Sequence, residues 1–224
     1  MTLPNTSDTV KGASALAIAK QYSGRFRGFA RFLTAHRPRI CPFKQLIDSV
    51  PKHSSVLDIG CGNGLFLYML ARTDRLAEGI GIDIRSDAVI SGNAALKGFD
   101  IGQASLHVAG ATSDWPKRTF EAVSMIDVMH HVPRERQRQT LAAALAMVAP
   151  GGIFIYKDIA TSPAWTAWAN RFHDLLLARQ WIHYLPISEV DSVAMGSEMR
   201  IVQRESVRLA WYAHELRVFR RAPC

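Results

Sequence analysis

No apolar run in this chain approaches the ~20 residues needed to cross a bilayer, so a membrane-spanning protein is not expected. The opening residues, MTLPNTSDTVKG, lack a basic segment followed by an apolar one, so they do not read as a secretory leader. Cysteine is scarce: Cys41, Cys61 and Cys224 are odd in number and show no CxxC spacing. That argues against a disulfide framework or a structural zinc site, predicts no bound metal, and suits a reduced, cytoplasmic setting. Internal repeats and low-complexity tracts are missing as well. Acidic residues are absent from 9 to 47, a stretch holding Lys11, Lys20, Arg25, Arg27, Arg31, Arg37, Arg39 and Lys44. The net charge of +8 is therefore concentrated in an N-terminal arm.

Within that arm Tyr22, Phe26, Phe29 and Leu33 recur at helical spacing. A basic helix with an aromatic face can cover a pocket, lie on an anionic membrane or touch nucleic acid. The plainer expectation is that the stripe packs on the domain and the arginines are solvated. At 224 residues the chain fits one domain with additions. The expected division is an arm or cap over 1–50 and a domain over 51–224.

Strand-type and helix-type segments alternate from Val56 to Asp158: SSVLDIG, GLFLYMLARTDRL, GIGIDI, DAVISGNAALKG, ASLHVAG, FEAVSMIDVMHH, LAAALAMVA and IFIYKDI. Such alternation predicts an α/β fold, a doubly wound and mostly parallel sheet with helices on both faces. Residues 159–196 read as a helical insertion rich in tryptophan and histidine. MRIVQRESV and HELRVFRRA are expected to close the chain as an antiparallel pair, giving seven strands.

The first strand ends in VLDIGCGNG. Glycine there weakens a strand unless a ligand must rest against the main chain, and the following helix offers free N–H groups. Asp83 ends the second strand, where a carboxylate can accept from both hydroxyls of a ribose. Together these favour an adenosine-containing ligand. A dinucleotide fingerprint would need glycine or alanine at Leu65, and a Walker loop would need lysine with serine or threonine. Neither is present, and Asp58 points toward a ligand carrying a positive group.

VLDIGCGNG, GIDI, FEAVSMIDVMHHVP and LAMVAPGGIFIYKD, in this order and spacing, resemble a class I S-adenosylmethionine-dependent methyltransferase of the bacterial small-molecule type, over about 100 residues. The resemblance implies that Asp58 and the Gly60–Gly64 loop, with Cys61 and Gly62 inside it, hold the amino-acid part of the cofactor S-adenosyl-L-methionine. It implies that Asp83 binds the ribose with Ile84 beside the adenine, and that Asp127 and Val128 line the wall next to the methionine part. Many small-molecule members carry an aspartate after the third strand where this chain has Ala111, so Thr112 or Asp114 is the expected substitute. Cys61 is expected to be a small filler rather than a redox group.

The chain has DVMHH where N-methylating relatives carry (D/N)PP(Y/F), and no cysteine near the fourth or fifth strand to act on RNA cytosine. His130 and His131 are placed to be a general base or to fix the loop; both roles stay open. His173 is a further candidate catalytic group. Tyr22, Phe26, Trp181, His183 and Tyr184 are candidate acceptor contacts, the insertion and arm forming the pocket in the resembling subset. The expectation is a small, largely apolar acceptor (aromatic, polyketide, quinone-like or lipid-linked), with O-methylation favoured over C-methylation. Alternatives are an RNA or protein methyltransferase and a non-catalytic partner subunit of the same fold. Nucleic acid is disfavoured by the lack of an RNA-binding module, while contact of the basic arm with an anionic membrane stays open.

Overall fold

The computed structural model describes residues 14–159, 184–209 and 212–223. Seven strands among them form one sheet: β1 (Ser54–Ile59), β2 (Leu76–Asp83), β3 (Ala104–Val108), β4 (Phe120–Ile126), β5 (Val148–Ile159), β6 (Met199–Leu209) and β7 (Tyr212–Arg221). Their order is β3-β2-β1-β4-β5-β7-β6. The first five are parallel, and β7 runs antiparallel between β5 and β6. The expected doubly wound, mostly parallel sheet is what the chain forms. Its order reverses between β1 and β4, where open α/β sheets place ligands beyond the strands' carboxyl ends.

The described helices are α1 (Ala15–Ser23), α2 (Gly28–His36), α3 (Phe43–Ser49), α4 (Leu65–Arg72), α5 (Ser86–Gly98), α6 (Arg134–Ala146) and α7 (Ile187–Gly196). Alternate residues of the central strands feed two apolar layers, as pleating requires. Val56, Ala122, Ile153 and Ile155 join one layer with Ile18, Tyr22, Leu46, Leu67 and Leu96 of the α1, α3, α4 and α5 face. Leu57, Val123, Phe154 and Tyr156 join the other with Leu141 and Leu145 of α6 and Val190 and Ala194 of α7. Strands covered on both faces explain why their sequences run apolar without strict alternation.

The structure departs from the sequence expectations in two places. The stripe from Tyr22 to Leu33 is not one helix: α1 ends at Ser23 and α2 begins at Gly28, which sits at φ +53°. Tyr22 and Phe26 are buried, whereas Phe29 and Leu33 are exposed. The spacing continues by coincidence across the break, which periodicity alone cannot detect. Secondly, the Pro150–Gly152 stretch does not precede the fifth strand but lies inside β5, where pairing with β4 slips between Phe120 and Ala122. Ile18, Ala19, Tyr22 and Phe26 of the arm belong to the same core as the sheet, as the plainer expectation for the first half of the stripe had it. Of the 159–196 insertion, 160–183 lie outside the described residues, and α7 occupies its far end.

Candidate active site

Asp58 is buried near the end of β1, paired in register with Gly81 of β2 and Ser124 of β4. The Ser124 hydroxyl donates to Asp58 Oδ1 at 2.6 Å. Burial pushes the carboxyl up to about 7; the serine bond works against that shift, and the charge of Asp83 adds to it. A cation placed beside Asp58 would restore its ionised form.

The loop that follows turns through left-handed backbone at Gly60 (φ +74°), Gly62 (φ +55°) and Gly64 (φ +79°), the last capping α4. Gly60 is the position with least room: a Cβ there would stand 2.2 Å from Val128 Cγ2. The loop after β1 and the end of β4 thus meet with only bare main chain between them. The Cys61 side chain packs on Gly81, where an added Cβ would lie 2.7 Å from Sγ. Burial holds its thiol well above the ordinary range, so it is a protonated filler.

Asp83 closes β2 and braces the loop: Oδ2 accepts from Gly62 N–H at 2.7 Å and Oδ1 from Arg85 N–H at 2.9 Å. Ile84 is 71% exposed next to it, an apolar platform facing Gly110, whose added Cβ would lie 3.6 Å from Ile84 Cγ2. Thr112 stands partly buried in the short 3-10 turn after β3. Asp58, the Gly60–Gly64 loop, Asp83 and Ile84 are therefore gathered at the ends of adjacent strands.

On the other side of the switch point the chemistry changes. Asp127 follows β4 with φ +56°. Its Oδ1 lies 2.5 Å from Lys157 Nζ on β5, and its Oδ2 lies 2.7 Å from Arg37 Nη2 just after α2. Burial would raise this carboxyl, but the Lys157 and Arg37 charges outweigh it and hold the group well below the usual carboxylate range. Three residues on, His130 is buried: its Nδ1 is 2.5 Å from Asp158 Oδ1, and its backbone N–H donates to Asp158 Oδ2 at 3.2 Å. His131 is exposed, with its ring centroid 4.1 Å from that of His130. The Tyr184 ring lies 6.2 Å from His130.

The arm supports this site rather than lining it through its buried aromatics. Tyr22 is fully buried and stacks on Tyr68 at 4.4 Å; its hydroxyl donates to the Asn63 carbonyl at 2.7 Å. Phe26 packs edge-on against it. Of the candidate acceptor contacts, Tyr22 and Phe26 thus have both side chains packed in the core, and Tyr22 props the glycine loop from behind. Asn63 Nδ2 also donates to Thr34 Oγ1 of α2 at 2.7 Å. The candidates His173, Trp181 and His183 lie outside the described residues.

Several residues that build the site were not singled out from sequence: Ser124, Lys157, Arg37, Asn63 and His214. Lys157 left a signal, a lysine inside the apolar run IFIYKDI, but its partner is remote in the chain. His214 on β7 is buried, and burial, with the Lys157 charge next, pulls it down to about 4.

This arrangement joins a bare-backbone cradle and a cation-seeking carboxylate to a buried histidine–carboxylate pair across one switch point. The model of one protein family, described as methyltransferase domain, matches residues 29–201, more than half of the chain. A fatty-acid O-methyltransferase of Mycolicibacterium smegmatis is 34% identical over 105 residues, 46% of this chain and 36% of that protein. A ubiquinone biosynthesis O-methyltransferase of Alkalilimnicola ehrlichii is 28% identical over 153 residues, 64% of this chain and 60% of that protein. The chain thus matches between about a third and three-fifths of these relatives' length. A magnesium protoporphyrin IX methyltransferase from Synechocystis, solved with bound S-adenosylhomocysteine, superposes with TM-score 0.67 at 14% identity, covering 95% of this chain and 91% of that one.

Proposed function

Since the chain belongs to the methyltransferase-domain family, whose methyl donor is S-adenosylmethionine, we propose that it methylates an oxygen of a small, largely apolar acceptor. The residues present fit that donor. Asp58, raised by burial and short of a cation, suits the ammonium of the amino-acid part. The left-handed glycine loop admits the ligand against its main chain, and Asp83 with Ile84 suits the ribose and adenine. Thr112, partly buried in the turn after β3, would supply the adenine contact, and Val128 with Asp127 the wall beside the methionine part. When bound, the donor supplies a sulfonium-activated methyl group.

The observation that carries O-methylation is the buried His130–Asp158 pair, at the end of β4 and β5 beside Tyr184. A carboxylate only accepts, so Asp158 selects the tautomer with the proton on Nδ1, which makes Nε2 the basic nitrogen of the ring. His130 would then take the proton of an acceptor hydroxyl as that oxygen receives the methyl group, the donor's carbon–sulfur bond breaking as the carbon–oxygen bond forms. The proton would end on the imidazole, where Asp158 stabilises the resulting charge. Asp158 also grips the His130 backbone, so the ring is aimed before the acceptor arrives. Tyr184 is the acceptor contact retained by this reading.

The test is transfer of labelled methyl to a panel of phenols, quinols, long-chain carboxylic acids and structured RNA. Label in organic-extractable hydroxyl compounds is expected, with kcat falling roughly 10²–10⁴-fold in His130→Ala. Label confined to RNA or protein, or full activity of His130→Ala on the hydroxyl compounds, would contradict it.

A further inference from the structure

A surface helix ordinarily turns its apolar stripe inward. Helix α2 does the reverse. Its buried residue is Thr34, which meets Asn63 of the glycine loop. Phe29, Phe32 and Leu33 are 61%, 58% and 47% exposed. At 3.6 residues per turn Phe29, Phe32, Leu33 and His36 fall in an arc of roughly 100°, whose centre lies roughly 150° from Thr34. The aromatic rings therefore point away from the body of the protein while the polar side holds the loop. The Phe32 and His36 rings meet within this stripe, centroids 4.5 Å apart and tilted by 50°.

Charge says what the stripe faces. Lys20, Arg27, Arg31 and Arg39 of the same arm are exposed, and no acidic residue occurs from 9 to 47. An exposed apolar face carried by an arm whose charges are all basic suits a surface that is apolar below and anionic above. An acidic protein groove would supply the charge but not the depth of hydrocarbon, and nucleic acid would leave the aromatic stripe without an apolar bed. Among the described residues no helix is long and apolar enough to cross a membrane, so the contact is one of lying on a bilayer.

We propose that α2 seats the protein on an anionic lipid bilayer, with Phe29, Phe32 and Leu33 in the acyl boundary and Arg27, Arg31 and Arg39 at the headgroups. The helix that touches lipid is the same one that bonds the glycine loop through Thr34 and leads into Arg37, the partner of Asp127. Seating thus places the reaction centre directly above the membrane surface. This inference holds whichever acceptor is used.

The experiment is co-sedimentation of the full chain with vesicles of phosphatidylcholine alone or mixed with phosphatidylglycerol. Expected is binding at least roughly tenfold stronger to the anionic vesicles and weakened by salt, as exposed charges are screened beyond ~8–10 Å. Phe29→Ser with Phe32→Ser is expected to lower binding about tenfold or more on both vesicle types, and Arg27→Gln with Arg31→Gln to remove the anionic preference. Both double variants should keep wild-type affinity for S-adenosylhomocysteine, which shows that they fold. Failure of the wild type to sediment with either vesicle, or sedimentation unchanged by the phenylalanine changes, would overturn the proposal. So would loss of a wild-type dimer in the phenylalanine variant without any vesicle binding, which would assign the stripe to a second copy of the chain.

Discussion

Two aspartates, Asp58 buried and Asp127 partly buried, flank the same switch point and live under opposite electrostatics. Asp58, near the end of β1, has a serine hydroxyl for a partner and is pushed up to about 7 by burial. Asp127, after β4, is clasped by Lys157 and Arg37 and stays ionised far below the usual range. The chain supplies its own cations to one and withholds them from the other. Where the counter-charge is built in, the carboxylate serves architecture: it ties β4, β5 and the arm together. Where it is withheld, the carboxylate serves a ligand that brings the charge along.

Substitutions can break this contrast. The largest effect is expected from Lys157→Met, which leaves the partly buried Asp127 with one cation fewer. Removing one partner of such a pair costs about 3–5 kcal/mol, read as a lower denaturation midpoint with unchanged slope. Adding Asp127→Asn should recover part of that loss, since the stranded charge disappears. Asp58→Asn should behave differently: stability no lower than wild type at pH 8, but S-adenosylhomocysteine affinity reduced about ten- to a hundredfold. That corresponds to a charged hydrogen bond of ~1.5–3 kcal/mol. A smaller effect, about 1 kcal/mol or less, is expected from Arg37→Ala, because this guanidinium is 40% exposed and Lys157 remains. Its signature is faster proteolysis within the arm rather than a lower global midpoint.

The cofactor side was readable in the sequence because its logic is local. Asp58, Gly60, Gly62 and Gly64 sit in nine consecutive residues, VLDIGCGNG, and each states a backbone or charge requirement in its own identity. Asp83 follows at the end of the next strand. The acceptor side was not readable in the same way. His130 could be seen as a candidate, yet what aims it is Asp158, 28 residues on, and what occupies Asp127 is Arg37, 90 residues back. Such partners are chosen by strand order and not by spacing. The arm shows the opposite failure: a regular apolar period from Tyr22 to Leu33 ran straight through a break at Gly24–Gly28 and concealed that its halves face different ways.

The pH dependence of ligand affinity tests the withheld cation most directly. Because burial raises Asp58 in the folded protein, its ionisation opposes folding: that cost is absent below about pH 4 and grows as pH rises toward about 7. A ligand ammonium favours the ionised form, so binding takes up the slack in the same window. Calorimetric titration of S-adenosylhomocysteine should therefore show wild-type affinity rising up to about tenfold per unit as pH climbs toward 7, then levelling off. Asp58→Asn should bind more weakly, with no such rise. Equal pH dependence in both proteins, or no affinity for this ligand at any pH, would contradict the role given to Asp58.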